Sequence, residues 1–589
     1  MASYRIHNIR FYSLEPKSVT CLCHEPKTKK LALARNDNSI EIWNVENAPF
    51  VECTIASHGE NSVESILWIG PRLFSTGLQG AVVEYDLTTL GIKYEVMVIG
   101  GAAWCMDVNH EKTYLAIGTE DGYINTFTVH KDKLVYERIF DKQKGRILCI
   151  KWDNTGEMIY TGSTDTIRVW SAISGHAIHK MTTSKSNVRK NTIVWCLAVT
   201  DDNIIISGDS HGFLCFWDPH IGVLIESHES HTADILAITL SHDMNVVYCA
   251  GVDPVVRSFC KVTLKSSGKF QWVKGIERRL HIHDVRALVE ANGKLYSAGV
   301  DGYLAVSSYP PKNLVKYPPL LQAPCATICR KSRCILLRYT NYLELWRLGS
   351  ITKDPPELVR SSMLHELDEE PMKLLELQTK GDESIISFAI NKDSKTIVYS
   401  TDTHVRVFNF DVVEGDAQLS RNDTDLSMNR IQKIVDKKSL RLIAESLKSW
   451  RLPKYSCPAT AIAVQKGTLN LVIVYSDHKI VEYNIPARQY TMFSNSLQNC
   501  LPKQWLARPF PITNIIFDPH NENIIIMQDD SSVYVINKNS ELPEKEAKIP
   551  KRENGENTED SNSISSSQSQ HAFQVVKKYK VVLPMEITF

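Results

Sequence analysis

The chain has 589 residues, more than a single hydrophobic core usually organises, so its length indicates two or more domains. Hydrophobic residues make up 43% and charged residues 23% of it, as in globular proteins. Lysine plus arginine and aspartate plus glutamate both total 67, and this zero net charge excludes binding to nucleic acid or anionic membrane by global charge, so any RNA contact must be local.

The N-terminal sequence MASYRIHNIRFYSLEPK lacks the unbroken apolar run of a secretory signal, and no stretch has the roughly 18 apolar residues of a membrane span. The 14 cysteines have no regular spacing, and many lie in apolar, strand-like runs such as Val194–Leu197. These features predict an intracellular chain with reduced, mostly buried thiols and no membrane partner.

A short alternating strand, followed by a turn and then an aromatic anchor, recurs through the first half of the chain. The anchors lie 42 to 48 residues apart, near the roughly 40–45 residues that one four-stranded propeller blade needs. Seven such units predict an all-β domain over residues 1–312, a seven-bladed propeller. The anchors are Trp43, Tyr85, Phe127, Trp170, Trp217, Phe259 and Ser307, which takes the place of the aromatic in the last unit.

A polar residue precedes most anchors by six positions, in the tight turn where a carboxylate accepts backbone N–H groups; Asp165 precedes its anchor by five. In the sixth and seventh units a histidine stands shortly before the first strand. These offsets resemble the WD repeat, in which a His, a Ser or Thr, the turn Asp and the Trp form a hydrogen-bonded chain. The residues assigned to this structural role are Asp37, Trp43, Asp121, Asp165, Trp170, Trp217, His231, Asp253, His281 and Asp301.

A sandwich or another barrel would also show short alternating strands, but regularly spaced turn acids and aromatics favour the propeller. The strand-like stretch Tyr4–Tyr12 precedes the first complete unit. We predict that it completes the last blade and thereby removes an open sheet edge.

The second half repeats the pattern less regularly, and residues 313–589 predict a second WD-like propeller that is irregular or incomplete. A partial fifth unit is predicted at Val575–Leu583. Apolar residues at helical spacing predict a helical insert near residues 428–450, and polar, serine-rich composition predicts a disordered loop over residues 541–571. The anchors of this half are Trp346, Phe408, Tyr483 and Ile536.

Sequence motifs that would indicate catalysis, metal binding or phosphate binding are weak or missing. Gly208–Gly212 fits the G-x-S-x-G nucleophile elbow, but that elbow needs a strand-to-helix turn, and here a strand follows that ends at Trp217. No cysteine or histidine group has zinc spacing, and no phosphate-binding loop motif occurs. We therefore predict that the protein is not an enzyme, with no catalytic residues, metal, cofactor or small-molecule substrate.

A few basic residues are weak candidates for contacts with RNA phosphate or with a partner. Solvated loops are the more common explanation of such clusters. The candidates are Lys185, Arg189, Lys190, Arg278 and Arg279.

Several stretches resemble the cirhin family of WD-repeat, U3 small nucleolar RNA-associated proteins: YRIHNIRFYSLEP, the run from IVWCLAVT through SGDSHG to AGVDPVVRSF, HIHDVRAL, ATAIAVQKGTLNLVIVYSDHKIVEYN and HAFQVVKKYK. Members of this family carry two full propellers and continue beyond the strand that ends this chain. Residues 411–455 lack blade material by comparison, so the chain resembles a shortened form.

The resemblance implies a scaffold of the nucleolar small-subunit processome, in an early U3-associated subcomplex. It implies a role in processing pre-rRNA to small-subunit (18S) rRNA and in rDNA transcription by RNA polymerase I. The implied partners are other WD-repeat and helical proteins of that subcomplex, the U3 ribonucleoprotein and 5′ pre-rRNA, with direct RNA contact left open. The alternative is a WD-repeat adaptor that reads a peptide, for example for a ubiquitin ligase.

Overall fold

The computed structural model describes residues 17–538 and 573–578, apart from gaps at 58–61, 184–190, 264–269, 310–311, 320, 322–323, 351–368, 380–382, 392, 410–447, 498–500, 502, 507–510 and 530–531. These residues form eleven four-stranded antiparallel sheets and two short helices. Neither of these helices has the length and hydrophobicity to cross a membrane. The chain divides at about residue 322 into two compact units.

The first unit has seven sheets, each a meander of four consecutive strands. The first four sheets are β1 (Val19–Glu25), β2 (Lys30–Arg35), β3 (Ile40–Asn44), β4 (Phe50–Ile55); β5 (Ser65–Ile69), β6 (Arg72–Thr76), β7 (Ala81–Asp86), β8 (Gly91–Met97); β9 (Ala103–Val108), β10 (Tyr114–Thr119), β11 (Ile124–Val129), β12 (Leu134–Ile139); and β13 (Cys149–Trp152), β14 (Met158–Gly162), β15 (Thr166–Ser171), β16 (Ala177–Thr182). The other three are β17 (Val194–Val199), β18 (Ile205–Asp209), β19 (Phe213–Asp218), β20 (Val223–Glu229); β21 (Ile235–Leu240), β22 (Val246–Gly251), β23 (Val255–Thr263), β24 (Phe270–Arg279); and β25 (Val285–Ala291), β26 (Lys294–Gly299), β27 (Leu304–Ser308), β28 (Asn313–Tyr317).

The first strands of successive sheets contact one another in order, and β25 of the seventh sheet contacts β1 of the first. At that junction Val19 and Leu31 share a hydrophobic core with Tyr296 and Leu304. The sheets therefore close into a ring, which is the architecture of a β-propeller.

Small residues allow the inner strands of neighbouring sheets to approach closely. Cys196 on β17 pairs with Gly208 on β18, and a Cβ added to Gly208 would lie 2.8 Å from the Cys196 Sγ and 2.6 Å from Ile235 Cγ2 of the next sheet. The third and fourth sheets repeat this cysteine–glycine pairing, whereas the sixth pairs Ala237 with Ala250. Burial raises the pKa of the Cys196 thiol well above its usual value, so this cysteine is a packing residue.

The anchors of all eleven sheets lie on the third strand of their sheet. In the first six sheets the register between the third and fourth strands shifts beside the aromatic anchor, as at Phe216/Trp217. In the seventh sheet, where Ser307 replaces the aromatic, the register runs without a shift. In the first unit a β-bulge therefore accompanies each aromatic anchor, which is consistent with the stronger local twist that bulges introduce.

The seventh sheet extends past residue 312, because β28 pairs with β27 as its fourth strand. Tyr317 on β28 packs edge-on against Trp43, with 5.7 Å between ring centroids. The predicted closing strand Tyr4–Tyr12 lies outside the described residues.

The second unit shows four sheets in the residues described. They are β29 (Ala326–Cys329), β30 (Cys334–Arg338), β31 (Tyr342–Arg347), β32 (Met372–Gln378); β33 (Ile385–Ile390), β34 (Thr396–Thr401), β35 (Val405–Asn409), β36 (Lys448–Arg451); β37 (Ala459–Val464), β38 (Asn470–Tyr475), β39 (Ile480–Asn484), β40 (Gln489–Tyr490); and β41 (Asn514–Phe517), β42 (Ile524–Gln528), β43 (Ser532–Asn537), β44 (Phe573–Lys578). Helices α1 (Met492–Leu497) and α2 (Lys503–Leu506) follow β40, and their Leu497 and Trp505 pack into the core between the last two sheets.

The described residues correct two predictions for this unit at one end of each segment only. The predicted helical insert near 428–450 does not extend to Trp450, which lies on β36 and pairs with Val407; the part at 428–447 lies outside the described residues. Of the predicted partial fifth unit at Val575–Leu583, the described residues 575–578 belong to β44, which pairs with β43 as the outer strand of the fourth sheet; residues 579–583 lie outside the described residues. The predicted disordered loop at 541–571 also lies outside the described residues.

Candidate functional site

A buried histidine–aspartate network lies at one end of the seventh sheet. The Nδ1 atom of His281 is 2.9 Å from Asp301 Oδ2, and its Nε2 atom is 2.8 Å from the Ser297 hydroxyl. Burial raises the pKa of Asp301, but the hydrogen bond and charge of His281, together with the backbone N–H groups of Tyr303 and Ile282, hold it below its ordinary value. In place of the missing aromatic, the Ser307 hydroxyl accepts a hydrogen bond from Arg278 at 2.8 Å.

The sixth sheet carries a weaker form of the same network. His231 Nε2 lies 3.5 Å from the Cys249 sulfur, and its Nδ1 lies 3.5 Å from Asp253 Oδ2. Burial, with the charge of Arg257, lowers the pKa of His231. Arg257 also contacts Asp253, at 3.4 Å. The neutral imidazole therefore fills a core position, while the arginine neutralises the turn carboxylate.

The fourth and fifth sheets retain the tryptophan end of the chain. Trp170 Nε1 donates to the Thr161 hydroxyl and Trp217 Nε1 to the Ser207 hydroxyl, each at 2.9 Å. In the fourth sheet buried Gln143 lies 3.4 Å from Thr161, where other sheets have a histidine. Each of the two tryptophan hydrogen bonds links the third strand of its sheet to the second strand.

The turn carboxylates of these two sheets accept hydrogen bonds from backbone N–H groups. Asp165 adopts a positive φ of 59° and accepts the N–H of Thr192 at 2.7 Å, which accommodates the turn that is one residue short. In the fifth sheet the acceptor is Asp209, which receives the N–H groups of His211 and Phe213 at 2.9 Å each. The polar residue six positions before the anchor Trp217 is His211, so the spacing rule does not identify Asp209.

In the first sheet an ion pair replaces the histidine network. Arg35, which is fully buried, pairs with Glu41, and Glu41 Oε2 accepts Trp43 Nε1 at 2.9 Å. Arg35 Nη1 also donates to the backbone oxygens of Lys17 (2.8 Å) and Gly302 (3.1 Å), and the second of these lies in the seventh sheet's turn. The pair therefore joins the two sheets at which the ring closes.

Sequence reasoning missed Arg35 and Glu41, although a signal was present. Each is a charged residue inside an apolar strand, and Glu41 precedes the anchor by two positions. The same spacing recurs at Glu344 and Trp346, where Trp346 Nε1 donates to Glu344 Oε2 at 2.9 Å.

The two remaining turn residues have local roles. Asp37 accepts the Ser39 hydroxyl at 2.6 Å and pairs with Lys17. Although burial raises the pKa of Asp37, the bonds from Lys17 and Ser39 hold it below its ordinary value. Asp121 is exposed, and its backbone N–H donates to the oxygen of Gly100 at 3.0 Å.

Because neighbouring strands are antiparallel, the second-to-third-strand turns and the connections between sheets lie at the same end of the ring, here called the loop face. Asp301 also accepts the backbone N–H groups of Ile282 (3.4 Å) and Tyr303 (3.2 Å). Both side chains are exposed, Ile282 by 73%. The buried network thus fixes the backbone of two exposed apolar residues. In the part of the loop face that the structure describes, the exposed apolar side chains are Leu78, Ile99, Val252, Ile282 and Tyr303.

The basic candidates do not form one surface. Lys185, Arg189 and Lys190 lie outside the described residues. Arg278 binds Ser307 and stacks over the Tyr248 ring at 5.3 Å, so it is engaged within the fold. Arg279 ends β24 and is exposed. Among the described residues, no group of histidine, cysteine, aspartate and glutamate side chains could hold a metal ion.

Comparison with known proteins gives a consistent result. Residues 102–202 match the WD40 domain family of anaphase-promoting complex subunit 4. The U3 small nucleolar RNA-associated protein 4 homolog of Homo sapiens is 30% identical over all of the chain and 96% of its own length, and that of Mus musculus is 29% identical over the same shares. The U3 small nucleolar RNA-associated protein 4 of Saccharomyces cerevisiae is 27% identical over 73% of the chain and 58% of its own length.

Proposed function

The chain belongs to the family of U3 small nucleolar RNA-associated protein 4, and on that premise we propose that it is a WD-repeat scaffold in ribosome biogenesis. It would act by holding partners in place, without chemistry of its own. The observation that carries this proposal is the loop face, where a buried network fixes exposed apolar side chains. A pre-organised apolar surface favours association because little entropy is lost on binding.

The partners proposed are other WD-repeat and helical proteins of the early processome subcomplex, the U3 ribonucleoprotein and 5′ pre-rRNA, in the nucleolus. The names of the relatives support a link to U3 small nucleolar RNA. The zero net charge supports protein contacts as the main interaction, with RNA contact confined to local patches.

We also propose that the first domain is a seven-bladed propeller and the second a WD-like propeller with fewer regular blades. The seven contiguous sheets of the first unit support the first part of this proposal. The alignment with the human relative has 662 positions against 589 residues in the chain, so that relative contains segments that this chain lacks.

The alternative, a peptide-reading adaptor of a ubiquitin ligase, is not favoured by these relatives. Such readers bind phosphorylated motifs through clustered arginines. Arg278, an arginine near the loop face, is instead bound to Ser307 within the seventh sheet.

Affinity purification of the tagged full chain, with the bound RNA probed for U3 and the 5′ external transcribed spacer, tests the proposal. We expect both RNAs to be enriched together with other propeller proteins. A loop-face variant, Ile282→Asp with Tyr303→Ala, should retain its fold and lose most of that enrichment. The exposed Val135→Asp on β12 is a control away from the loop face. Absence of both RNAs from the unmodified chain would contradict the proposal.

A further inference from the structure

The outer strand of the fifth sheet, β20, has an edge that no lysine or arginine protects. It is the last strand of its sheet among the described residues, so one side of its backbone is unpaired there. Val223 and Ile225 are 51% and 55% exposed, and Leu224 between them is exposed as well. Ile225 has no partner residue on β19, because the register shifts there. An exposed apolar strand edge is a template for pairing with another strand.

The other outer strands of the first unit are protected in ways that β20 is not. β8, β12, β16, β24 and β28 each contain a lysine or arginine, the residues that most often guard an edge. β4 contains neither, but none of its residues is exposed. Of these seven strands, β20 alone combines exposed apolar side chains with the absence of a cation.

The apolar surface continues onto the neighbouring fourth sheet. The turn before β20 lies against β16, since a Cβ added to Gly222 would be 3.7 Å from the Cβ of His179. Ile178 on β16 and Ile221 in this turn are both exposed. We call the surface formed by Ile178, Ile221, Val223, Leu224 and Ile225 the β20 edge.

The charge of β20 distinguishes between the three kinds of molecule that could bind the β20 edge: a second copy of the chain, RNA and an extended peptide. Beyond Ile225 the strand carries Glu226 and exposed Glu229; Glu226 pairs with His228 at 2.8 Å. A second copy of β20 would bring no lysine or arginine to Glu229. RNA phosphate would be repelled by the carboxylates and would leave the apolar side chains uncovered. An extended peptide with apolar and basic residues satisfies both parts of the edge.

We propose that the β20 edge binds an extended segment of a different protein, which adds to the fifth sheet as a fifth strand. The apolar side chains of this segment cover Val223 and Ile225, and a lysine or arginine pairs with Glu229. This deepens the proposed scaffold role, on which it rests, by naming the chemistry of one partner.

Photo-crosslinking of the full-length tagged chain in cells tests this inference. The photoreactive residue p-benzoylphenylalanine replaces Ile225 in one variant and Val315 in a matched control. Val315 is an exposed valine on β28, an outer strand that carries Lys316. Crosslinked peptides are sequenced by mass spectrometry, and U3 RNA is measured in the same preparations.

The expected product at position 225 is a peptide of another protein with at least three apolar residues and a lysine or arginine beside them. Glu229→Lys should lower its yield by about fivefold, the upper end for one exposed ion pair, and the probe at 315 should not capture it. A crosslink to a second copy of the chain or to RNA, no crosslink, or the same peptide at both positions would overturn the inference. If U3 is enriched without this crosslink, only the strand docking fails; if U3 is absent from every preparation, the scaffold role fails.

Discussion

Replacing Glu41 with glutamine tests how the first sheet is held to the seventh. The substitution leaves the guanidinium of Arg35 buried without its carboxylate, although the amide oxygen can still accept Trp43 Nε1. Removing one partner of a buried ion pair costs about 3–5 kcal/mol. The hydrogen bonds from Arg35 to the backbone oxygens of Lys17 and Gly302 remain, so the guanidinium keeps part of its hydrogen bonding. We therefore expect the lower end of that range, about 3 kcal/mol.

Hydrogen–deuterium exchange of the full chain is the appropriate assay, because a chain of two units does not unfold in a single two-state step. A loss of about 3 kcal/mol corresponds to roughly a hundredfold faster exchange through local opening. The effect should be largest in peptides from β1 to β3 and around Gly302. The double variant Arg35→Met with Glu41→Leu should recover part of the protection, since apolar replacement of a buried pair is often neutral. Less than about fivefold acceleration, near 1 kcal/mol, would refute the assigned role of the pair.

Three further predictions concern packing, hydrogen bonding and pH. Gly208→Ala should destabilise the first unit by about 1–3 kcal/mol through overpacking, and Cys196→Ala should relieve part of this, as hydrogen–deuterium exchange of β17 and β18 amides in the single and double variants would reveal. Ser207→Ala should cost about 1–2 kcal/mol by leaving Trp217 Nε1 unpaired, and equal exchange of β18 and β19 amides in both proteins would contradict it. Because the pKa of His231 is lowered by folding, its contribution to stability is present above the unfolded pKa and decreases as the pH falls below about 6.5 toward the folded value. The change should be smaller in His231→Gln, and a pH profile identical in the two proteins would rule it out.

Local patterns predicted the sheets of the first unit because each sheet is built from consecutive strands. Every anchor from Trp43 to Ser307 lies on a third strand, and the alternation of apolar residues identified the strands around it. Each sheet pairs only neighbours in sequence, so turn chemistry and strand period were sufficient.

The second unit was harder to predict because two of its sheets are completed by strands distant in sequence. β36 joins β35, and β44 joins β43, after long intervening segments. The local periodicity of apolar residues carries no information on pairing between strands distant in sequence. For this reason the sequence places Trp450 in a helix and Val575 in a separate unit.

The site was predicted in part. The His281 and Asp301 positions followed from spacing, whereas Arg35 and Glu41 have no counterpart in the WD pattern and carry their signal only as charges within apolar strands. Exposure of Ile282 or of the β20 edge depends on which neighbours cover a strand, and a single sequence does not contain that information.

The central claim, a scaffold role in ribosome biogenesis, is tested most directly by depleting the protein from cells of its source organism and following pre-rRNA. The account predicts accumulation of precursor that retains the 5′ external transcribed spacer and a loss of mature small-subunit rRNA. Re-expression of this chain should reverse both changes. Normal maturation of small-subunit rRNA after depletion would contradict the account.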